Sequence, residues 1–162
     1  MKIAKKSLSQ NFINDNNICK KIISYCKIKD KDILEIGPGK GSLTKFIIEK
    51  NPKNLYLVEK DDDLSILLKN KYKKFSNVHV LNEDILDTNI SKFRKVNIIG
   101  NLPYNISSKL ILYLFKNSKH IDEMVLMIQK EMANKFDYKK NKLNKYKFFN
   151  KLYCKYEQCF DV

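Results

Sequence analysis

Four consecutive residues, Asn101 to Tyr104, combine an amide, a proline and an aromatic ring in a pattern suited to chemistry on a planar amine. The exocyclic amine of adenine is a weak nucleophile, because its lone pair is delocalised into the ring. Two acceptors on its two N–H groups would pull the nitrogen towards a tetrahedral geometry and free that lone pair. The side-chain oxygen of Asn101 is one candidate acceptor, and the backbone carbonyl of Leu102, held by rigid Pro103, is the other. Tyr104 offers a face on which a flipped-out base can stack; the alternative is a buried tyrosine in an ordinary proline turn.

The residues before this turn predict the element that positions it. Residues 96–100 form a short β-branched run that ends in glycine, which is typical of a strand buried in a parallel sheet. In such sheets, ligands bind just outside the carboxyl ends of the strands. We therefore expect residues 101–104 to lie at the edge of a binding site.

A second predicted strand, residues 32–36, leads into a glycine-rich turn at residues 37–42 and then a helix, for which Ser42 is the predicted cap. A strand, a glycine-rich turn and a helix form the first half of a nucleotide-binding βαβ unit. Glycines there allow the backbone to approach a ligand closely. The spacing is G-x-G-x-G, which differs from the G-x-G-x-x-G of dinucleotide enzymes.

Two acidic residues follow the next two predicted strands, residues 54–58 and 78–81. Glu59 stands about 20 residues past the glycine turn, where an acidic residue can hold a ribose diol; a solvated strand end is the alternative. Asp84 could accept a hydrogen bond from an adenine amine of a cofactor. Taken alone, Asp84 is better interpreted as a turn or helix-capping aspartate.

The remaining pattern alternates helices and strands. We predict a first helix capped by Asn14 or Asp15, a second that starts at Asp61 or Asp62, a third that starts at Ser107 or Ser108 and a fourth from about Lys130, together with a fifth strand at 124–128. The second of these helices is expected to pack through Leu64, Leu67 and Leu68. Residues 152–162 are expected to add a sixth strand near the fifth.

The composition fits one domain of 162 residues with a sizeable core, since 43% of the residues are hydrophobic and 31% are charged. No apolar run approaches the length of a membrane span, and the basic start has no apolar segment behind it, so we expect no membrane segment or secretory signal. Cys19, Cys26, Cys154 and Cys159 form no C-x-x-C pair. Reduced thiols in a cytosol-like compartment, and no metal site, are expected.

The net charge of +14 favours a polyanionic partner, with RNA or DNA as the obvious class. The alternative is a general bias towards lysine, because Arg94 is the only arginine. Lysine is a point charge, so the excess indicates attraction to phosphates rather than readout of bases. The lysine-rich, aromatic segment at 137–151 is interpreted either as a surface that grips RNA or as a solvated segment.

Taken together, the motifs resemble those of the ribosomal-RNA adenine dimethyltransferase family of the bacterial KsgA type. The resemblance covers residues 5 to about 136. It is carried by Gln10-Asn11-Phe12, Leu34-Glu35-Ile36-Gly37-Pro38-Gly39-x-Gly41, Glu59, Asp84, Gly100-Asn101-Leu102-Pro103-Tyr104-Asn105-Ile106-Ser107 and Gln129-Lys130-Glu131.

This resemblance implies an α/β fold of the class I S-adenosylmethionine-dependent methyltransferases, a Rossmann-like, mostly parallel sheet with helices on both faces. We expect the strand order 3-2-1-4-5 in one domain over 1–162, with a basic arm at 1–12 and a divergent, lysine-rich segment at 137–162. The family's last strand and small C-terminal helical domain are expected to be missing, which leaves one sheet edge incomplete. The resemblance implies cofactor contacts from Asn11, Ile13, Gly37, Glu59, Asp84 and Asn101, and catalytic roles for Asn101, Leu102, Pro103 and Tyr104.

The resemblance also implies an activity, which is dimethylation of two adjacent adenines near the 3′ end of small-subunit ribosomal RNA. The implied cofactor is S-adenosylmethionine, the implied partner is the immature small subunit, and a cytoplasmic monomer is expected. Two alternatives stay open: a non-catalytic RNA-binding relative active in ribosome assembly, and a nicotinamide dehydrogenase. The relatives that methylate large-subunit RNA share the same core, although residues 100–107 look more like the small-subunit type.

Overall fold

Five parallel strands lie at the centre of the computed structural model, which describes residues 15–103, 105–137 and 143–162. The strands are β1 (Asp32–Ile36), β2 (Asn54–Val58), β3 (Val78–Leu81), β4 (Val96–Asn101) and β5 (Ile121–Met127). Their order is β3-β2-β1-β4-β5, which confirms the predicted order. Strand β5 begins three residues before the predicted start.

The helices cover both faces of this sheet. They are α1 (Asn16–Ser24), α2 (Thr44–Glu49), α3 (Asp62–Tyr72), α4 (Ser107–Lys116), α5 (Lys130–Asn134) and α6 (Lys145–Tyr153), with short 3₁₀ turns at Ile90–Phe93 and Ser118–His120. The predicted cap at Asp15 and the predicted helix start at Asp61 or Asp62 are confirmed: the Asp15 carboxylate accepts from the backbone N–H groups of Asn17 and Ile18, and the Asp61 carboxylate accepts from that of Leu64. Each cap satisfies N–H groups that a helix start leaves without a partner.

Of two expectations about helices, one is wrong and the other is confirmed only in part. Ser42 does not cap α2, because that helix begins at Thr44 with Leu43 at the cap position and no side-chain hydrogen bond there. In α3, Leu67 is 41% exposed, and the buried face is formed by Ser65, Leu68 and Tyr72. Leu68 and Tyr72 lie in the same core cluster as Leu55 and Leu57 of β2, so Leu68 is buried as predicted and Leu67 is not.

The core has two parts, one on each face of the sheet, because successive residues of a strand point to opposite faces. Leu34 and Ile36 face one cluster, which includes the buried side of α4. Ile33 faces the other, which includes the buried sides of α1, α2 and α3. All three strand residues are at most 3% exposed, as expected for a strand covered on both faces.

The strand register aligns the ends from which the candidate site is built. Ile36, the last residue of β1, lies opposite Val58 at the end of β2 and opposite Gly100 in β4. Gly100 in turn lies opposite Leu126 of β5. The glycine turn, Glu59 and Asn101 therefore emerge at the same edge of the sheet.

The C-terminal part differs from the prediction. Residues 145–153 form a helix that packs against α4, and Tyr146, Lys147 and Asn150 are buried in it. For this part of the 137–151 segment the alternative of a solvated segment is thus wrong, whereas the interpretation as a surface that grips RNA stays a prediction, since Lys145, Phe148 and Lys151 are exposed. Residues 138–142 lie outside the described residues. Residues 154–162 form no strand, so the predicted sixth strand is wrong.

The outer edge of β5 is incomplete, as expected. Among the described residues β5 pairs with β4 alone, and the residues from Glu123 to Met127 are only partly buried. Within the same residues, no helix has the length and apolar character needed to cross a membrane.

Candidate functional site

The glycine turn between β1 and α2 has backbone geometry that favours glycine. Gly37, Gly39 and Gly41 have φ angles of +63°, +60° and +81°, in the left-handed region where side chains are strained. At Gly41 space also excludes a side chain, because a Cβ atom there would lie 2.6 Å from the Tyr72 hydroxyl oxygen. At Gly37 a Cβ atom would meet nothing within 4 Å, so this part of the turn faces open space.

Glu59 connects this turn to the end of β2. It is 6% exposed, which rules out the alternative of a solvated strand end. Its Oε2 accepts a hydrogen bond from Gly39 N at 3.0 Å, and its Oε1 accepts one from Asp61 N at 2.9 Å. Burial raises the pKa of this carboxyl, and the two backbone hydrogen bonds oppose the rise. Each carboxylate oxygen keeps further acceptor capacity, which is what a ribose diol requires.

Asp84 lies beyond the end of β3 and already has two partners. Its Oδ1 accepts from Leu86 N at 2.9 Å, as expected for the turn aspartate that the sequence predicts when Asp84 is taken alone. Its Oδ2 accepts from Lys60 Nζ at 2.7 Å, and Lys60 follows directly after Glu59. Burial acts to raise the pKa of Asp84, but the hydrogen bonds from Lys60 and Leu86 outweigh it and lower the pKa. Lys60 therefore bridges the ends of β2 and β3.

The turn after β4 is held from both sides. Asn101 is the last residue of β4 and lies opposite Met127, and Leu102 N donates to Met127 O at 3.0 Å. The carbonyl of Pro103 accepts from the Ser107 hydroxyl at 2.8 Å, which joins the turn to the first turn of α4. Leu102 is 2% exposed. The backbone is thus fixed by β5 and α4 where the two predicted acceptors stand.

Three predicted site residues cannot be placed. Asn11, Ile13 and Tyr104 lie outside the described residues. The other predicted residues, namely Gly37, Glu59, Asp84, Asn101, Leu102 and Pro103, all follow the carboxyl ends of neighbouring strands or end them.

A buried polar group beneath the glycine turn was missed by the sequence reasoning. Glu35 of β1 is 1% exposed, and its Oε2 accepts from the Thr44 hydroxyl at 2.7 Å. The Tyr72 hydroxyl donates to Gly41 O at 3.4 Å, and Lys71 Nζ donates to Lys40 O at 2.9 Å. Together with Glu59, these residues hold the turn from below and from the side of α3. The signal was present in the sequence, since a carboxylate inside a strand covered on both faces must be buried.

The buried Glu35 carboxyl predicts a pH dependence of stability. Its ordinary pKa is 4.5, and burial raises it to about 8 in the folded chain. Between these values the folded state keeps a proton that the unfolded state has lost, so the free energy of unfolding falls as the pH rises, by up to about 1.4 kcal/mol per pH unit. We expect Glu35→Gln, which stays neutral, to lose this dependence in urea unfolding. The exposed Glu49→Gln is the control, and parallel pH profiles for Glu35→Gln and the unchanged chain would contradict the assignment.

Comparisons with known proteins agree on one family. The model of the family described as ribosomal RNA adenine dimethylase matches residues 1–158. A ribosomal RNA small subunit methyltransferase A from Pelagibacter ubique is 49% identical over 138 residues, which are 82% of this chain and 52% of that protein. A protein of the same name from Mycoplasmopsis pulmonis is 37% identical and covers 98% of this chain and 61% of its own length. The chain spans about half the length of the curated relatives it matches first.

Solved structures agree as well. The 23S rRNA methyltransferase ErmE superposes with a TM-score of 0.71 at 25% identity, over 77% of this chain and 50% of that one. A dimethyladenosine transferase from Plasmodium falciparum gives a TM-score of 0.68 at 33% identity, over 78% of this chain and 46% of that one. Both similarities support the fold predicted for the chain.

Proposed function

The chain belongs to the ribosomal RNA adenine dimethylase family, and on that premise we propose that it transfers methyl groups from S-adenosylmethionine to two adjacent adenines near the 3′ end of small-subunit ribosomal RNA. The observation that carries the proposal is the match to the family over residues 1–158, which includes the turn after β4. Membership of this family overturns the alternative of a nicotinamide dehydrogenase. The proposal includes action as a monomer in the cytoplasm on the immature small subunit.

The residues at the sheet edge fit the proposed cofactor. The backbone at Gly37 is open to close approach, and the remaining acceptor capacity of Glu59 suits the two ribose hydroxyls. Asp84 would offer a carboxylate to the adenine amine of the cofactor, and Asn101, which ends β4, is assigned to contact both the cofactor and the target. Asn11 and Ile13 complete the proposed contacts. When bound, the cofactor supplies a methyl group on a positively charged sulfur, which needs no metal and no covalent enzyme intermediate.

The chain's own contribution is positioning and electrostatics. We assign the Asn101 side-chain oxygen and the Leu102 carbonyl as acceptors for the two hydrogens of the target amine. Pro103 makes the backbone beside these two acceptors rigid. Its carbonyl also accepts a hydrogen bond from the Ser107 hydroxyl. Tyr104 is assigned to stack on the flipped base. With its lone pair freed from the ring, the amine nitrogen would be able to accept the methyl group that a bound S-adenosylmethionine supplies, and one of its protons would be released to solvent.

The proposal is tested by transfer of labelled methyl groups from S-adenosylmethionine to an immature small subunit and to a short naked RNA hairpin. We expect transfer to the particle, where the target adenines are positioned. Binding to naked RNA should rest on phosphate contacts and weaken steeply between about 50 and 200 mM salt. Specific RNA binding without any transfer would instead support the non-catalytic alternative. Efficient, salt-insensitive transfer to the hairpin would contradict the need for a particle.

The bridge between Lys60 and Asp84 gives a further prediction about the cofactor. The ammonium of Lys60 takes up one acceptor position of the Asp84 carboxylate, for which the adenine amine of the cofactor would compete. Lys60→Met keeps the aliphatic stem and removes this competitor, so S-adenosylmethionine should bind up to about fivefold more tightly, the scale of an exposed ion pair. Calorimetry with the inosine analogue, which lacks the amine, should show no such gain. Equal gains for both ligands would mean that the change acts only through net charge.

A further inference from the structure

The loops that lead into β1, β2 and β3 form one continuous surface at the amino-terminal end of the sheet, opposite to the candidate site. Lys53 N donates to Lys31 O at 2.8 Å, which joins the first loop to the second. Asn77 Nδ2 donates to Pro52 O at 2.9 Å, which joins the second loop to the third. The backbone of Asn77 is held as well, because its carbonyl accepts from Leu55 N at 2.8 Å. The backbone positions of the three loops are therefore fixed relative to one another.

This surface carries a concentration of positive charge. The basic end, as we name it, consists of the exposed lysines Lys29, Lys31, Lys50, Lys53, Lys73 and Lys74. Among the residues that the structure describes, none of these six side chains forms an ion pair. The nearby acids are fewer, and one of them, Asp32, already accepts a hydrogen bond from Asn54 Nδ2 at 2.7 Å.

An aromatic ring stands beside these lysines. Phe75 follows Lys74 and is 42% exposed. Its ring packs edge-on against Tyr72 with centroids 6.2 Å apart, and its backbone N–H donates to Tyr72 O at 2.9 Å. The ring is therefore held in place while part of it stays open to solvent. Lysines next to an exposed, fixed aromatic ring are the combination by which proteins bind RNA through phosphate contact and base stacking.

The carboxyl-terminal end of the sheet, where the candidate site lies, is richer in acidic residues. The loops after β2 and β3 contain Glu59, Asp61, Glu83, Asp84 and Asp87, so the described part of the candidate site does not carry the lysine excess. Helix dipoles explain only part of this asymmetry, since cations are favoured at helix C-termini. Lys50 and Lys73 are C-cap residues of α2 and α3, but Lys29, Lys31 and Lys53 lie in loops.

We propose that the basic end is a second RNA contact, which binds the phosphate backbone of an RNA segment separate from the one that presents the target adenines. The inference rests on the proposed function for the identity of the RNA. A five-residue strand spans roughly 16 Å, and the loops add to this separation of the two surfaces. The few nucleotides around a flipped adenine cannot reach both, so the second segment comes from elsewhere in a folded RNA or particle.

The test compares a triple variant, Lys31→Gln, Lys53→Gln and Lys74→Gln, with a control of equal charge change, Lys20→Gln, Lys135→Gln and Lys155→Gln, all at exposed positions. Dissociation constants for the immature small subunit are measured at several salt concentrations. Loss of three phosphate contacts should weaken binding about tenfold or more at about 50 mM salt and reduce the slope of log K against log salt by about two to three. The control should keep both values close to those of the unchanged chain.

Two further readouts separate this inference from the proposed function. In the triple variant, KM for the particle should rise while kcat and the affinity for S-adenosylmethionine stay unchanged. Phe75→Ala should weaken RNA binding without changing the salt slope, because stacking releases no counterions. Equal slopes for the triple variant and the control would overturn the inference, even if methyl transfer is intact. The inference would also be overturned if the chain bound anionic lipid vesicles more tightly than RNA and the triple variant lost this binding. If the salt slopes are as predicted but no methyl transfer occurs, the result would count against the proposed function alone.

Discussion

Replacement of Asn101 by alanine should lower the rate of methyl transfer at saturating substrates by about 10²–10³, the scale for loss of one preorganised polar group at a reacting centre. The side-chain oxygen is assigned to accept from the target amine only as that nitrogen becomes tetrahedral. Its loss should therefore act on the transfer step more than on binding. The backbone at this position pairs with β5 in the sheet, so the fold should be retained.

The measurement is a single-turnover rate on the immature small subunit, with far-ultraviolet circular dichroism as a check of the fold. Asn70→Ala on the exposed face of α3 is the matched control. Unchanged turnover in Asn101→Ala would remove the assigned role and leave Asn101 as a strand end.

Replacement of Glu59 by alanine should weaken S-adenosylmethionine binding by about 1.5–3 kcal/mol, the scale for hydrogen bonds to a charged group. Two effects combine here. The ribose loses its proposed acceptors, and the backbone N–H groups of Gly39 and Asp61 lose the carboxylate that now holds the glycine turn. Glu59→Gln keeps one acceptor oxygen and should lose less affinity than Glu59→Ala.

Calorimetry with S-adenosylmethionine measures this effect, and Glu49→Ala at an exposed position is the control. Titration of the unchanged chain with NAD should give no binding. Equal cofactor affinity in Glu59→Ala and the control would restrict Glu59 to its structural role in the turn.

The parallel sheet could be predicted because its signals are local. β-branched and apolar runs bounded by glycine or acidic residues marked β1, β2 and β4, and their alternation with helices favoured a parallel arrangement. The positions of Gly37, Glu59 and Asn101 then followed from a general property of such sheets, whose strands end at one edge.

The C-terminal part could not be predicted in the same way, because distant contacts decide it. Residues 145–153 contain three lysines, yet Tyr146 packs against Phe136 with centroids 5.5 Å apart, and the helix lies on α4. In the segment after this helix, Tyr156 stacks on Phe136 and Phe160 stacks on Tyr25 of the opposite face. These ring contacts favour packing across the edge of the sheet over pairing with β5.

The polar network below the glycine turn was missed for a different reason. The burial of Glu35 follows from its place in a strand covered on both faces, but its bond to Thr44 and the approach of Tyr72 to the turn depend on how α2 and α3 pack. The same contacts explain the failed prediction of a Ser42 cap, since the chain after Gly41 is held by Thr44 and Tyr72 rather than by a serine hydroxyl.

The most direct test of the central claim is nucleoside analysis of small-subunit RNA after incubation of immature particles with the chain and S-adenosylmethionine. We predict N6,N6-dimethyladenosine at two adjacent positions near the 3′ end, formed by the unchanged chain and strongly reduced with Asn101→Ala. Methylation of another base or another atom, or no methylation by a chain that binds the cofactor and the particle, would contradict the claim.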